Sequence, residues 1–330
     1  MIIDVHTHFL PATLSRALRR RREMPRIVES PVGTRIAYGE DSGHAILPSM
    51  GSVDLRLRDM DAQGIGFAVL GTNVPGVDWC AAGDAPVIAA DVNDELNALA
   101  RAHPDRLAAL ATLPMQLPEA AAAELERAVG DGAVGAMIYS NVAGSPLDDP
   151  ALTVVFDAAA ALGVPLYIHP TYPLVAREVR GYALISTVGF LVDTSVAALR
   201  LVLGGLYERH PDFALVLSHA GSLLPQLVGR IDYEAARMPN GMGKLSRPPS
   251  EALARLYTDA VCAWPPALRS TLDFLGPDRI MFGSDYPFWD PQVSLDALEG
   301  AGLPAAVRER VESSNARRLF GVRPRPAGAP

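Results

Sequence analysis

Five residues of the sequence could form a metal site, because each follows or ends a short apolar run of the kind that forms a β-strand. His6 and His8 lie in IDVHTHF, His169 in LYIHP, His219 in LVLSHAG and Asp285 in IMFGSDYPF. A lone H-x-H pair, or a lone histidine after a strand, is a weak signal and is usually structural. Four histidines and one aspartate at strand ends together favour a site for Zn²⁺ or a related divalent ion, which binds imidazole and carboxylate groups.

The rest of the sequence alternates strand-like runs with helical stretches rich in Ala and Leu. Strands are predicted at residues 2–6, 66–70, 107–112, 133–138, 165–169, 214–218, 256–258 and 280–283. Helices are predicted at residues 54–63, 86–102, 119–129, 150–162, 193–209, 222–237, 265–274, 293–299 and 305–320. This alternation predicts an α/β fold of parallel strands closed into a (β/α)8 TIM barrel. The alternative, an open doubly wound sheet, is disfavoured because no G-x-G-x-x-G motif follows the first strand.

A closed barrel would bring these side chains together. All strands of a parallel barrel point their carboxyl ends at one face, where functional residues collect. Side chains two residues apart on a strand share a face, so His6 and His8 are expected to converge. Two other histidines, His103 and His210, each precede a Pro-Asp turn where a helix ends. We assign both to helix capping.

The chain is expected to form one domain over residues 1–321, followed by a frayed tail at 322–330 that is rich in Pro and Gly. Residues 9–53 separate the first strand from its helix and are too many for a plain loop. An insertion after a barrel strand lies on the active-site face, so we expect a lid or a substrate-binding segment. The alternative is a solvated decoration.

The composition argues against several classes of partner. The 330 residues carry 29 basic and 37 acidic side chains, a net charge of −8, whereas a nucleic-acid interface needs a basic stripe. No apolar run reaches the roughly 20 residues that span a bilayer, and the first residues lack the pattern of a signal peptide. The two cysteines, Cys80 and Cys262, are isolated. A cytoplasmic protein without disulfides is therefore expected.

The fourth predicted strand indicates how many ions the site holds. Binuclear barrel hydrolases commonly bridge two ions with a carboxylated lysine, or an acid, on that strand. Residues 133–140, AVGAMIYS, contain no lysine, acid or cysteine, and the single lysine of the chain is Lys244, after the sixth strand. One ion is therefore expected.

The sequence resembles the amidohydrolase superfamily, and more narrowly the group of aminocarboxymuconate semialdehyde decarboxylase and γ-resorcylate decarboxylase. The matching segments are IDVHTHFLP at 3–11, RLRDMDAQGI at 56–65, TLPMQLPE at 112–119, LYIHP at 166–170, LSHAGSLLPQLVGRID at 217–232, LYTDA at 256–260 and DRIMFGSDYPF at 278–288. They span nearly the whole chain in collinear order. The resemblance implies a barrel, one divalent ion (zinc most often, sometimes manganese) and a homodimer.

The resemblance also implies a role for each residue of the constellation. His6, His8, His169 and Asp285 match the metal ligands of the family. His219 matches an acid or base beside the ion, and Asp285 is expected to take part in catalysis as well as in binding.

Residues that bind the substrate are less well defined. Arg230, in GRID, falls where decarboxylases of this group have an arginine near the site. Aminocarboxymuconate semialdehyde decarboxylase has a substrate-gripping arginine in the first insertion, and this sequence has no counterpart, because Leu47 stands near its place. Arg35 or His44 could substitute. Tyr172 follows a ligand-bearing strand and is expected either to line an aromatic pocket or to pack in the protein.

We expect a metal-dependent decarboxylase, a carbon–carbon lyase, that acts on a small aromatic or dienoic carboxylic acid. The alternative is a hydrolase of a lactone, ester or amide, or a hydratase, at the same single-ion site. In hydrolysis Asp285 would take the water proton and His219 would stabilise the oxyanion. A non-catalytic metal-binding protein is disfavoured, because a decayed site usually loses a ligand.

Overall fold

The centre of the molecule is a ring of eight parallel strands in chain order. The structure, a computed structural model, describes residues 1–31, 33–39, 42–238 and 245–323. The ring strands are Ile2–Phe9, Ile65–Thr72, Leu107–Ala109 continued by Ala111–Thr112, Ala136–Tyr139, Leu166–His169, Leu215–Leu217, Tyr257–Asp259 and Ile280–Met281. All neighbouring strands pair in parallel. The eight predicted strands are confirmed, each within a few residues.

The ring closes between its eighth and first strands. The N–H of Val5 donates to the carbonyl of Phe282 at 3.0 Å, and the N–H of His8 donates to the carbonyl of Tyr286 at 2.8 Å. The third strand changes partner at Leu110, pairing with the second strand before it and with the fourth after it. A closed ring has no free edge, so this fold is a barrel and not an open doubly wound sheet.

Helices cover the outside of the ring. They span Val53–Ala62, Ala85–Ala102, Pro118–Gly130, Thr153–Leu162, Phe190–Leu203, Leu206–Arg209, Leu224–Arg237, Pro249–Leu253, Pro265–Leu275, Pro291–Gly300, Ala305–Glu309 and Asn315–Phe320. A 3-10 turn forms at Pro150–Leu152, π-helical turns form at Ile185–Gly189 and Arg310–Ser314, and a small hairpin pairs Asn141–Val142 with Ser145–Pro146. The helix predicted over 193–209 is two helices, because the chain breaks at Gly205, whose φ of +85° suits glycine.

The core has an inner and an outer part. The inner part fills the ring with side chains from seven of its strands: Ile3, Val5, Phe67, Val69, Ala108, Leu110, Met137, Tyr167, Val216 and Met281. Two larger clusters lie between the ring and the helices and include Leu96, Leu125, Leu201 and Leu268. The strands are therefore covered on both sides, as their continuous apolar runs require.

The insertion predicted at 9–53 folds on the mouth of the ring. It contains the helices Ala12–Arg20 and Pro48–Gly51 and an antiparallel sheet of Arg26–Ser30, Gly33–Ala37 and Gly43–Ala45. The first helix is held by buried Leu14 and Leu18, and Glu95 accepts the N–H groups of Ala12 and Thr13 at 2.6 and 3.1 Å. Glu95 thus pairs two of the donors that every helix start leaves free. Of the predicted tail, residues 324–330 lie outside the described residues.

Within the described residues, one helical stretch, Ile185–Leu203, is long and apolar enough to cross a membrane by length and composition alone, and 44% of it is buried. Here it is the helix that follows the fifth strand. Its buried Asp193 accepts hydrogen bonds from the Ser140 hydroxyl, from the side-chain amide of Asn141 at 2.9 Å and from the N–H of Leu174 at 2.9 Å. These contacts attach the helix to the loops at the strand ends.

Candidate metal centre

The structure brings together the four residues that the resemblance implies as metal ligands. His6, His8, His169 and Asp285 are all buried, and one ligand atom from each lies within 4.8 Å of the others. Nε2 of His8 lies 3.0 Å from Oδ1 of Asp285, and Nε2 of His6 lies 3.3 Å from it. Side chains from the first and fifth strands and from the loop after the eighth strand meet here only because the ring is closed.

The second nitrogen of each histidine fixes its tautomer. Nδ1 of His6 faces a carboxylate oxygen of Asp259 at 2.7 Å. Nδ1 of His8 faces the Thr72 carbonyl at 3.1 Å, and Nδ1 of His169 faces the Pro170 carbonyl at 2.7 Å. All three partners accept hydrogen bonds, so each Nδ1 carries the hydrogen. Each Nε2 therefore keeps a free lone pair that points into the cluster, which is the arrangement found around metal ions.

An unpaired atom in the cluster tests whether a cation fits. Nε2 of His169 is buried and has no hydrogen-bond partner among the described residues. A buried polar atom without a partner is costly, and a cation would satisfy this nitrogen together with the other three ligand atoms. Three imidazole nitrogens and one carboxylate are a donor set for Zn²⁺ and similar ions. The residues present therefore fit a single divalent cation.

Electrostatics in the cluster also favour a positive charge. Burial opposes ionisation of Asp285, but the charge of the neighbouring His6 outweighs it and holds the pKa of Asp285 well below its usual range. Burial lowers the pKa of His8 and that of His169. Burial also disfavours the charged form of His6, yet its two carboxylate neighbours raise the pKa of His6.

Asp259, on the seventh strand, has a central position that the sequence analysis does not assign. It is fully buried, and its carboxylate accepts Nδ1–H of His6 at 2.7 Å, the Tyr167 hydroxyl, and the N–H groups of His219 and Ala220, both at 3.2 Å. Burial opposes its charge, but His6 lowers the pKa of Asp259 to about 2. One carboxylate thus orients a metal ligand and also holds the loop that carries His219.

His219 lies beside the cluster. Its Nε2 is 3.4 Å from Oδ2 of Asp285. Residues 219–222 all have positive φ, with +61° at His219 and +51° at Ala220, a conformation that costs energy for residues other than glycine. Asp259 stabilises this turn by accepting two of its N–H groups. Asp285 is also left-handed, at +60°. Such strain persists where the surrounding structure imposes it, which is common at functional sites.

A cavity of about 890 Å³ opens onto the cluster. His169, His219 and Asp285 form its inner end, and Tyr172 and His44 are among the other residues that line it. The rings of His44 and Phe288 are in edge contact, with centroids 4.7 Å apart.

Two of the residues suggested for substrate binding lie elsewhere. Arg230 is exposed on the helix Leu224–Arg237 and is not among the residues that line the cavity. Arg35, on the middle strand of the insertion, does not line it either. The suggestion for Arg230 rests on a sequence position, and the face that a helical residue presents depends on how the helix packs. Of Arg35 and His44, only His44 reaches the cavity.

Comparisons with known proteins agree with this geometry. The family model described as Amidohydrolase matches residues 3–322. The chain is 34% identical over 306 residues to a γ-resorcylate decarboxylase of Rhizobium sp. (strain MTP-10005), covering 86% of this chain and 90% of that protein. A solved 5-carboxyvanillate decarboxylase from Sphingomonas paucimobilis superposes with a TM-score of 0.87 at 29% identity, covering 98% of this chain and 99% of that one. Another, from Novosphingobium aromaticivorans DSM 12444, was solved with manganese and 4-hydroxy-3-methoxy-5-nitrobenzoic acid; its TM-score is 0.84 at 25% identity, covering 97% of this chain and 96% of that one.

The chain therefore belongs to the amidohydrolase family. The predicted resemblance to the decarboxylase group within it is confirmed. Together with the buried cluster of three histidines and one aspartate, this makes the protein a metal-dependent carboxy-lyase of the amidohydrolase superfamily.

Proposed function

We propose that the protein decarboxylates a hydroxybenzoate-type acid, and that the carboxylate group of the substrate faces the cluster of His6, His8, His169 and Asp285. The observation that carries the proposal is the position of that cluster at the inner end of a cavity whose walls include Tyr172 and Phe288. Similarity to decarboxylases whose names specify aromatic acids supports this substrate class.

Decarboxylation of such an acid exchanges a carboxylate for a proton on one ring carbon. The new C–H bond forms at the carbon that bears the carboxylate, and the C–C bond then breaks, so that its electron pair returns to the ring and CO₂ leaves. A group at the inner end of the cavity must deliver that proton. His219 and Asp285 are suited to this step, because Nε2 of one lies 3.4 Å from Oδ2 of the other. We therefore assign them the acid–base role.

A divalent cation, when bound, supplies Lewis acidity that fixes a substrate oxygen and offsets developing negative charge. His6, His8, His169 and Asp285 would hold it. This donor set suits zinc, and the manganese in a related decarboxylase favours manganese as an alternative. The presence of one such cluster among the described residues supports a single ion.

His44 is our candidate for a substrate contact from the insertion. Burial lowers its pKa to about 4, so it is neutral near pH 7. Its Nδ1 lies 2.8 Å from the Tyr38 hydroxyl, which also donates to the Val74 carbonyl at 3.0 Å. With Tyr38 committed to Val74, Nδ1 of His44 is the donor in their hydrogen bond, and Nε2 remains an acceptor without a partner among the described residues. A phenolic hydroxyl of the substrate could supply that partner.

The insertion would then act as a cover over the cavity, with Ser42 and His44 in its wall. Tyr172 is proposed as a wall of the ring-binding space. Arg230 is exposed in the single chain, so we do not propose that it contacts a substrate bound in the same chain. A homodimer, a cytoplasmic location, and one domain over residues 1–321 stay predictions.

The test is to incubate the metal-loaded protein with 2,6-dihydroxybenzoate and related acids and to measure CO₂ release. Lactones and aryl esters of the same acids are assayed in parallel. We expect CO₂ and the corresponding phenol from the acids. If the acids are inert while esters or lactones are hydrolysed, the hydrolase alternative is correct and this proposal is wrong.

A further inference from the structure

The cavity is much larger than a single substituted ring needs. Its volume of about 890 Å³ lies near the top of the range of roughly 300–1,000 Å³ found for sites that bind drug-sized ligands. Seated at the metal cluster, a dihydroxybenzoate would occupy only the inner end. The remaining volume is space for a further group of the substrate.

The outer part of the cavity has an apolar wall on one side of the barrel mouth. This wall, which we call the distal pocket, comes from the helices and loops that follow the fifth, sixth and seventh strands. It consists of Phe190, Leu191, Pro225, Ala267 and Thr271. Phe288, whose ring centroid lies 5.1 Å from that of His8, and His44, which contacts Phe288, come instead from the loop after the eighth strand and from the insertion.

Hydroxyl groups in and beside the distal pocket are hydrogen-bonded within the protein. The Thr271 hydroxyl donates to the carbonyl of Ala220 at 2.8 Å, and the hydroxyls of Ser222 and Thr194 bond each other at 2.7 Å. These bonds attach the turn at 219–222 to the helices Pro265–Leu275 and Phe190–Leu203. The wall is therefore fixed by its own hydrogen bonds, and the surface that it offers to a ligand is mainly carbon.

We infer that the distal pocket binds an apolar substituent on the aromatic acid, such as an alkyl chain longer than a methyl group. The inference rests on the proposed function, because the ring and carboxylate must occupy the inner end for the substituent to reach the pocket. No lysine or arginine lines the cavity within the described part of the chain. A negatively charged substituent would therefore have no lysine or arginine partner there, whereas each buried methylene gains about fourfold in affinity.

The experiment uses the metal-loaded protein and three series of 2-hydroxybenzoates, alkylated at ring carbon 4, 5 or 6 with hydrogen, methyl, propyl or pentyl. We expect kcat/KM to rise with chain length in at least one series, by about fourfold per methylene that is buried. A fall with chain length in all three series, while the unsubstituted acid is decarboxylated, would overturn the inference but not the proposed function.

Binding of the product phenols distinguishes failure of this inference from failure of the proposed function. If no acid is decarboxylated, calorimetry with phenol and its alkyl derivatives still measures the pocket. Affinity that rises with chain length supports the pocket although the proposed chemistry is wrong. Affinity that does not change with chain length overturns the inference.

Two variants locate the effect. Ala267→Phe should lower the ratio of pentyl to unsubstituted kcat/KM by about tenfold or more, because the new ring fills the pocket. Phe190→Ala enlarges it and should move the optimum to a longer chain. Ala306→Phe, at an exposed position on the helix Ala305–Glu309, is the matched control and should leave the ratio unchanged. If Ala267→Phe folds with a wild-type melting temperature and leaves the ratio unchanged, the pocket is not where the substituent binds.

Discussion

His6 and His210 each pair with an aspartate at the same distance, but in different regions of the molecule. Nδ1 of His6 lies 2.7 Å from Asp259 at the barrel mouth, and Nε2 of His210 lies 2.7 Å from Asp157 on the outer surface. The first pair is fully buried, whereas the His210 and Asp157 side chains are 23% and 53% exposed. His210 follows the short helix Leu206–Arg209, as the capping assignment predicts.

The difference shows that a histidine–aspartate pair does not by itself form a functional site. In water, an exposed ion pair contributes little to stability, because solvent screens it and both side chains lose freedom. In the barrel mouth, burial strengthens each interaction, and the other nitrogen of His6 faces Asp285 at 3.3 Å. The buried pair therefore couples a metal ligand to the loop of His219, whereas the exposed pair joins the end of the helix Leu206–Arg209 to the helix Thr153–Leu162.

The largest expected effect comes from removing a ligand on the buried side. His169→Ala deletes the nitrogen that has no partner in the part of the protein that the structure describes. We expect kcat for decarboxylation to fall by about 10³-fold or more, since a metal ion contributes several kcal/mol. Bound metal, measured by mass spectrometry, should fall with it. His210→Ala is the matched control and should keep both. Wild-type metal content in His169→Ala would contradict the ligand assignment.

A second variant separates acid–base chemistry from metal binding. His219→Asn suits the left-handed backbone at this position, because asparagine tolerates positive φ. We expect kcat to fall by about 100-fold or more, as for loss of a general acid or base, with metal content unchanged. His103→Asn, at the end of the helix Ala85–Ala102, provides the control. A kcat close to wild type would remove His219 from the mechanism.

The two aspartates allow a direct test of the comparison. Asp259→Asn removes the negative charge that orients His6 and holds the turn at 219–222, so we expect a loss of about 10- to 100-fold in metal affinity or kcat. Asp157→Asn changes the exposed partner of His210 and should leave both values unchanged. Metal affinity is measured by competition with a chelator, and melting temperatures show whether each variant folds. Equal behaviour of the two variants would mean that burial does not distinguish the pairs.

Asp78 extends the comparison to an aspartate with a buried carboxylate oxygen and no histidine partner in the described part of the chain. Its Oδ1 is buried and unpaired among the described residues, and burial raises the pKa of Asp78 to about 8, although a backbone hydrogen bond from Met115 acts in the opposite direction. The folded protein thus holds this proton over a range in which the unfolded chain has lost it. Stability should therefore fall as pH rises from about 4 to about 8.

Asp78→Asn removes this titration. At pH 8 its melting temperature should exceed that of wild type by about 2 °C or more. At pH 5 the advantage should be smaller. Asp290→Asn, at the start of the helix Pro291–Gly300, is a control for general changes of charge. Parallel melting curves of Asp78→Asn and wild type across this pH range would contradict the assignment.

The ring and the ligands could be predicted from the sequence because both depend on local patterns. Continuous apolar runs give the strands, and His6 and His169 lie within or at the end of such runs. Asp259 was not found, because its partner His6 is 253 residues away and nothing in LYTDA distinguishes it from other strand residues. The insertion strands were missed because short, partly polar strands lack a clear period. The position of Arg230 could not be predicted either, because it depends on which face of its helix packs inward.

The most direct test of the account is to titrate metal-free protein with Mn²⁺ or Zn²⁺ while measuring CO₂ release from 2,6-dihydroxybenzoate. If His6, His8, His169 and Asp285 hold one catalytic ion, activity should rise in proportion to added metal and reach its plateau at about one ion per chain. Full activity without metal, or a plateau at two ions per chain, would contradict it.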